Sequence, residues 1–135
     1  MTNDWVYDIE SRVFTIVKGK TEKTVRNKFP TVKYTTSDTS DQSAVFPTIY
    51  IHELNSPEDG RDLECDTVNS IFCTFEVKVT VDSKREDSKW IAKQITEAFR
   101  ELKFHTLMFP ITTGHNATFE TIMRVRRMIS NNDTL

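Results

Sequence analysis

Three residues in the middle of the chain have the types and order found in metal-dependent nucleases. Asp66 precedes Glu76 and Lys78, and the last two lie in a predicted strand that leads into a helix, which gives a D…E-x-K pattern. In such a site two carboxylates bind a divalent cation and the lysine helps to activate water. Glu10, in the first predicted helix, is a candidate third carboxylate.

A cross-strand ion pair explains the same residues without catalysis. Glu76 and Lys78 are two positions apart on the polar face of an alternating strand, where oppositely charged neighbours are common. The acid that follows a proline in that nuclease motif is also not clearly present, because Pro57-Glu58 falls in a predicted turn. We therefore favour the ion pair and keep the nuclease as the lesser alternative.

Two other ligand-binding motifs fail at single positions. Residues 19–21 read Gly-Lys-Thr, but a phosphate-binding loop needs a glycine five residues earlier, and that position is Phe14. A calcium loop starting at Asn55 would have Pro57 at its third position and Asp66 in place of the usual bidentate glutamate. Neither a nucleotide nor a calcium ion is predicted.

The histidines and cysteines also lack the spacing of a metal centre or a catalytic nucleophile. His52, His105 and His115 lie far apart and form no H-x-x-x-H pattern, and the chain has no G-x-S-x-G motif. Cys65 and Cys73 are eight residues apart, and Cys73 alternates with apolar residues as a core residue does. We expect two reduced structural thiols, no metal, no cofactor and no enzymatic activity.

The composition is that of an ordinary globular domain. The chain has 135 residues, of which 37% are hydrophobic and 28% are charged, and no run approaches the ~18 apolar residues of a membrane span. The first ten residues, MTNDWVYDIE, have no basic region before an apolar stretch, so we expect no secretory signal and synthesis in a reducing compartment. A pI of 5.9 is poorly suited to tight phosphate binding by the whole domain.

The net charge of −2 conceals two oppositely charged segments. The basic segment, residues 18–33, contains one acid, Glu22, and six cations: Lys18, Lys20, Lys23, Arg26, Lys28 and Lys33. The acidic segment, residues 53–66, contains one base, Arg61, and six acids: Glu53, Glu58, Asp59, Asp62, Glu64 and Asp66. Solvated surface is the usual role of such runs. The second interpretation is a head-to-tail contact, in which the basic segment of one subunit meets the acidic segment of the next and the rotation closes a ring.

Hydrophobic periodicity predicts a single α+β domain, with a mixed or antiparallel sheet packed against two main helices. The first helix is expected to begin at Asp4 and end near Gly19, with a separate helical turn over residues 21–28. Residues 35–44, TTSDTSDQSA, are small and polar and are predicted to form an exposed, mobile loop. Residues 55–60 are predicted to form a turn.

Strands are predicted over residues 48–54, 71–81, 106–111 and 117–129. Between the second and third strands lies a helix, capped by Ser83 or Ser88, with one apolar stripe: Ile91, Ile95, Phe99 and Leu102. Residues 112–116 are expected to connect the last two strands. The last strand has Ile122 and Met128 opposite its main apolar face, so it needs cover on both sides, from the first helix or from a neighbouring subunit.

The order of these elements resembles that of the tail terminator proteins of long-tailed bacteriophages, which are also called tail completion or tail-to-head joining proteins. The resemblance covers residues 46–129 and rests on four stretches: FPTIYIHEL, FEVKVTVDS, WIAKQITEAFRELKF and TFETIMRVRRMI. It implies a small α/β domain with helices against a mixed or antiparallel sheet. It also implies a structural role, as a hexameric ring that caps the finished tail tube and docks to the head-side connector.

The resemblance further implies partners and a location. The partners are copies of the chain itself, the tail tube protein and the head-side connector or stopper protein, while DNA passes through the channel without specific binding and no membrane is involved. The location is the tail or neck of the virion, assembled in the host bacterial cytoplasm. In such a ring the acidic segment would line the channel or pair with the basic segment of the next subunit. The alternative within this class is another neck or head-completion protein.

Overall fold

A computed structural model of the protein describes residues 4–36, 45–54, 58–61, 68–115, 117–130, 133 and 135. Two helices and six strands follow one another in the order α1 (Asp4–Lys28), β1 (Lys33–Thr35), β2 (Thr48–Glu53), β3 (Glu58–Arg61), β4 (Val68–Val81), α2 (Arg85–Glu101), β5 (His105–His115) and β6 (Thr118–Ser130). The structure describes only the beginning of the segment predicted as a mobile loop, residues 35–44. Thr35 belongs to β1, and residues 37–44 lie outside the described residues.

The six strands form one mixed sheet. Its order is β1-β2-β4-β6-β5, and β3 pairs with the early part of β4, on the same side as β2. Strands β1 and β2 run parallel, and every other pair is antiparallel. The predicted α+β fold, with a mixed sheet and two main helices, is therefore confirmed.

The core lies between one face of the sheet and the two helices. Strand β4 alternates as predicted, and its inward residues are all buried: Ile71, Cys73, Phe75, Val77, Val79 and Val81. The predicted stripe of α2 is buried against them, together with apolar residues of β2 and β6. Because α1 contacts α2 and β2, both helices cover the same face.

Three aromatic rings join α2 to the sheet. Phe75 of β4 lies 5.8 Å from Phe99 of α2 and 5.7 Å from Phe104, and Phe99 and Phe104 are 5.1 Å apart. The two contacts of Phe104 are close to edge-to-face, the arrangement in which the positive edge of one ring meets the negative face of another. All three side chains are buried, so this cluster fixes how the helix sits on the sheet.

The prediction that the first helix ends near Gly19 is wrong, since α1 continues to Lys28. The apolar period does not stop at the glycine: Thr21 and Val25 are buried on the same face as Val13 and Val17. A glycine inside a helix costs only about 1 kcal/mol relative to alanine. Packing of the continued stripe offsets that cost, and Pro30 follows shortly after the true end.

The predicted serine caps of α2 are also wrong. Lys84 occupies the N-cap position and makes no side-chain cap hydrogen bond. The Ser83 hydroxyl contacts the Asp87 carboxylate at 2.6 Å, and Ser88 lies inside the helix, where it donates to the Arg85 carbonyl. The acidic residues of the first turn, including Asp87, complement the positive end of the helix dipole in place of a serine cap.

Two predicted connections turn out to be strand. Glu58, Asp59 and Gly60 belong to β3, so their part of the predicted turn is wrong, while residues 55–57 lie outside the described residues. Strand β5 runs to His115 rather than ending at Pro110, because the predicted hairpin residues pair with β6. Pro110 is tolerated because β5 is an edge strand, and the register shifts between residues 106 and 111.

The α2 helix ends in a hydrogen-bonded turn built around a lysine with a left-handed backbone. Lys103 has φ of 69°, its N–H donates to the Arg100 carbonyl, and the Phe104 N–H donates to the Phe99 carbonyl. This is the Schellman arrangement, in which glycine is usual at that position. Lys103→Gly is expected to raise the free energy of unfolding by about 0.5–1 kcal/mol, because glycine relieves the left-handed strain. Urea denaturation tests this, and a loss of stability would contradict it.

Tyr34 ties β1 to α1 through one hydrogen bond. The Thr21 hydroxyl donates to the Val17 carbonyl at 2.8 Å, so its proton is committed and the Tyr34 hydroxyl, 2.7 Å away, is the donor to Thr21. Tyr34→Phe is expected to lower the free energy of unfolding by about 1 kcal/mol at neutral pH. Urea denaturation near pH 8 measures it.

The contribution of Tyr34 also depends on pH. Burial is the largest influence and raises the pKa of Tyr34 above its ordinary value of 10.0. The folded state then holds the proton more tightly than the unfolded state, so stability is fully present below about pH 10 and falls as the pH rises through the folded pKa. The difference between wild type and Tyr34→Phe should therefore shrink above about pH 10. A constant difference would contradict this assignment.

Candidate functional site

The sheet face opposite the helices has no cover from the described residues. It presents a mixture of aromatic, charged and apolar side chains: Tyr50, His52, Phe72, Thr74, Glu76, Lys78, Ile111, Ile122, Arg124, Arg126 and Met128. Ile111 is 55% exposed and Met128 is 43% exposed. The sequence correctly placed Ile122 and Met128 opposite the core face of the last strand, and this open face is the first candidate site.

A polar network crosses the middle of the open face. The Glu76 side chain is 11% exposed, and its Oε2 accepts a hydrogen bond from Arg124 Nε at 2.9 Å. Its Oε1 lies 3.5 Å from Nε2 of His52, whose ring stacks on Tyr50 with 4.3 Å between centroids. Both carboxylate oxygens thus face side chains of neighbouring strands. Nearby, the Arg126 guanidinium lies 5.3 Å from the centre of the Phe72 ring.

Of the nuclease candidates that the structure describes, the carboxylates of Glu10 and Glu76 lie on opposite sides of the sheet. Asp66 lies outside the described residues. Glu10 of α1 accepts a hydrogen bond from the backbone N–H of Glu53 at 2.7 Å on the helix side, whereas Glu76 faces the open side. Glu76 pairs with Arg124 and His52 rather than with Lys78. Within the described residues, no three His, Cys, Asp or Glu side chains converge on a point where a metal ion could bind.

The acidic segment follows the edge of the sheet on the β2 side. Glu53 is the last residue of β2, and the backbone of Glu58 and Asp59 belongs to β3, which pairs with the beginning of β4. Asp62, Glu64 and Asp66 lie outside the described residues. In the part of the chain that the structure describes, β4 is the sole strand neighbour of β3. The described part of the acidic segment therefore lies at an edge of the sheet.

The basic segment is largely engaged within its own subunit. Lys18 and Arg26 lie 3.6 and 3.7 Å from the Glu22 carboxylate, and Lys20 lies 2.9 Å from Glu101 of α2. Lys28 lies over the Trp90 ring at 4.4 Å. The predicted pairing of this segment with a neighbouring subunit stays a prediction, but it would compete with these contacts.

A second basic surface follows α2 beside β5, and it was missed in the sequence. We call it the α2 basic stripe, and its exposed members are Arg85, Lys89, Lys93, Arg100 and Lys103. Arg85 donates to the Thr112 carbonyl of β5 at 2.9 Å, and a groove lined by Lys89, Lys93, Arg100 and Pro110 runs between helix and strand. These cations are dispersed in sequence, so no run stands out. Successive cations of the stripe are four, four, seven and three residues apart, and such spacings place side chains on one face of a helix. That spacing is the sequence signal that would have found them.

Comparison of the chain with models of known protein families gives no match, and comparison with curated proteins identifies no relative. In the part of the chain that the structure describes, neither helix combines the length and apolarity needed to cross a membrane.

Proposed function

We propose that the protein is a ring-forming tail terminator of a long-tailed bacteriophage. It caps the finished tail tube, joins the tube to the head-side connector, and has a structural rather than a catalytic role. Two things support the proposal: the resemblance of residues 46–129 to that family in the order of its elements, and the surface that the fold leaves uncovered.

The observation that carries the proposal is apolar surface on uncovered parts of the sheet. Leu107 is 49% exposed on the edge strand β5, and Ile111 and Met128 are 55% and 43% exposed on the open face. On the open face each exposed residue has an apolar neighbour on the adjacent strand, Ile122 beside Ile111 and Phe72 beside Met128. A neighbouring subunit, the tube or the connector would bury them.

The two edges of the sheet favour a ring over a symmetric dimer. One edge carries part of the acidic segment in β3, and the other carries β5 with the α2 basic stripe beside it. Unlike surfaces on one molecule pair head to tail, and repeated head-to-tail contacts close into a ring when the rotation permits. Such an assembly matches what a tail terminator requires.

The charge of the chain is compatible with a channel for DNA. The net charge is −2 and the pI is 5.9, so the assembled ring would carry negative charge overall. A ring with that net charge is poorly suited to tight phosphate binding. The DNA would then pass without binding, which is the behaviour expected of a neck component.

The mass of the purified chain in solution, alone and mixed with the tail tube protein or with the head-side connector of the same phage, tests the proposal. We expect a discrete oligomer that binds the end of the tube. An oligomer that binds only the connector would assign the chain to another neck position. A chain that stays monomeric with both partners would contradict a ring.

A further inference from the structure

We infer that the α2 basic stripe and the groove between α2 and β5 form a docking site for an extended, acidic segment of a second protein. The inference rests on the proposed function only for the place of that partner, as a neighbour in the tail. The chemistry of the partner follows from the surface itself. The groove lies on the helix side of β5, so a partner bound there leaves the open face free for the other contacts of the proposed ring.

The cations of the stripe are exposed and available to a partner. In the part of the chain that the structure describes, none of these four forms an ion pair: Lys89, Lys93, Arg100 and Lys103. The basic segment differs, because several of its cations pair with Glu22 or Glu101. Lys89 and Lys93 are four residues apart, a spacing at which like charges destabilise a helix. Carboxylates of a bound partner would relieve that repulsion.

The groove is long enough for a short stretch of extended chain. Its first part has a volume of about 350 Å³ and is lined by residues of α2 from Lys89 to Arg100 and by Pro110 of β5. A second hollow, lined in part by Arg100 and Lys103, adjoins it, because Arg100 lines both. The helix rises about 16 Å from Lys89 to Arg100, which is the length of about five residues of extended chain. One such stretch can therefore contact all the cations that line the groove.

The mixture of side chains favours a polypeptide over a nucleic acid. Glu97 lies among the cations of the groove, where its carboxylate would repel a phosphate. Pro110 lines the groove, and Leu107 of the same edge strand is 49% exposed, so apolar surface lies beside the charges. A polypeptide can place an amide or a cation opposite Glu97 and an apolar side chain against Pro110, whereas a phosphate backbone offers neither. Charged and apolar contacts side by side are typical of a protein interface.

Fluorescence anisotropy with a labelled acidic peptide tests the inference on the full chain. The probe is a peptide of about ten residues that alternates glutamate with serine around one central leucine, so that an extended chain presents its glutamates on one side. We expect binding that weakens as salt is added, because the contact is largely electrostatic. The same peptide with glutamine in place of glutamate should bind at least about tenfold more weakly. An absence of binding by the glutamate peptide at low salt would overturn the inference.

Charge reversal locates the contact on the protein. Lys89→Glu/Lys93→Glu should weaken binding of the glutamate peptide by about tenfold or more, whereas Lys89→Arg/Lys93→Arg keeps the charge and should stay within about twofold of wild type. The reversal exchanges one exposed like-charge pair for another, so circular dichroism should show an intact fold. The matched control is Lys23→Glu/Lys33→Glu, which changes the net charge equally, and β1, which contains Lys33, lies at the opposite edge of the sheet from β5. Its binding should stay within about twofold of wild type.

The remaining outcomes separate this docking site from its alternatives and from the proposed function. Equal losses in the stripe variant and the control would overturn the site, and so would single-stranded DNA of the same charge that binds the stripe more tightly than the peptide. A ring that caps the tube but whose peptide binding is unaffected by the stripe variant would overturn the inference and leave the proposed function intact. A chain that stays monomeric yet binds the peptide through the stripe would support the docking site and contradict the ring.

Discussion

Replacement of Phe99 by alanine is expected to lower the free energy of unfolding by about 3–5 kcal/mol. Phe99 is fully buried and contacts both Phe75 of β4 and Phe104 at the end of α2. Truncation removes the transfer free energy of the ring and leaves a cavity where helix and sheet meet. The Schellman turn also loses the apolar contact between Phe99 and Phe104 that accompanies its hydrogen bonds.

Urea denaturation followed by circular dichroism measures this loss. Phe99→Leu keeps most of the volume and should cost about 1–1.5 kcal/mol. Tyr7→Ala is the surface control, because Tyr7 is 81% exposed, and it should change stability by at most about 0.5 kcal/mol. A loss below about 1.5 kcal/mol for Phe99→Ala would mean that the aromatic cluster does not anchor α2 to the sheet.

Removal of the Arg124 side chain is expected to cost about 2 kcal/mol. Arg124→Ala leaves the Glu76 carboxylate, 11% exposed, with His52 as its one charged or ionisable neighbour in the network. Breaking a fully buried ion pair costs about 3–5 kcal/mol because the remaining charge is desolvated without compensation. The Arg124 side chain is 48% exposed, so water reaches the vacated position and reduces the cost.

A paired variant separates the charge effect from lost packing. Glu76→Gln in the Arg124→Ala background removes the uncompensated charge, so the double variant should be no less stable than Arg124→Ala. Arg126→Ala on the same face is the control, because this cation lies over the Phe72 ring and its removal should cost about 0.5–1 kcal/mol. If Arg124→Ala and Glu76→Gln lowered the free energy of unfolding additively, Glu76 and Arg124 would not be coupled.

The sequence was sufficient for the elements in which one strong period decides the structure. Strand β4 alternates from Ile71 to Val81 and α2 repeats its apolar residues every three or four, so the apolar residues predicted to face the core are buried in both. The buried Glu76 of β4 and the buried Ser88 and Ala92 of α2 were not predicted. The prediction failed where tertiary packing overrides a local signal. Gly19 indicates a helix end, yet Val25 continues the buried face, and Gly114 indicates a turn, yet it pairs with Phe119 in the sheet.

The candidate site was less predictable, because its parts meet only through the fold. The sequence pointed to the basic segment as a contiguous run, but Lys18 and Lys20 have partners in their own subunit. The α2 basic stripe is a surface only once α2 lies beside β5, and the strand order that places it there depends on contacts between distant residues. Likewise, the pairing of Glu76 with Arg124 follows from the register of β4 with β6, which local patterns do not specify.

Electron microscopy of the purified protein in negative stain tests the central claim most directly. The account predicts closed rings of uniform diameter with a stain-filled central channel, and these rings should be found at one end of tail tubes when tubes are added. Particles of the size of a single 15.7 kDa chain or a compact dimer, with and without tubes, would contradict the claim that this chain is built to form a ring.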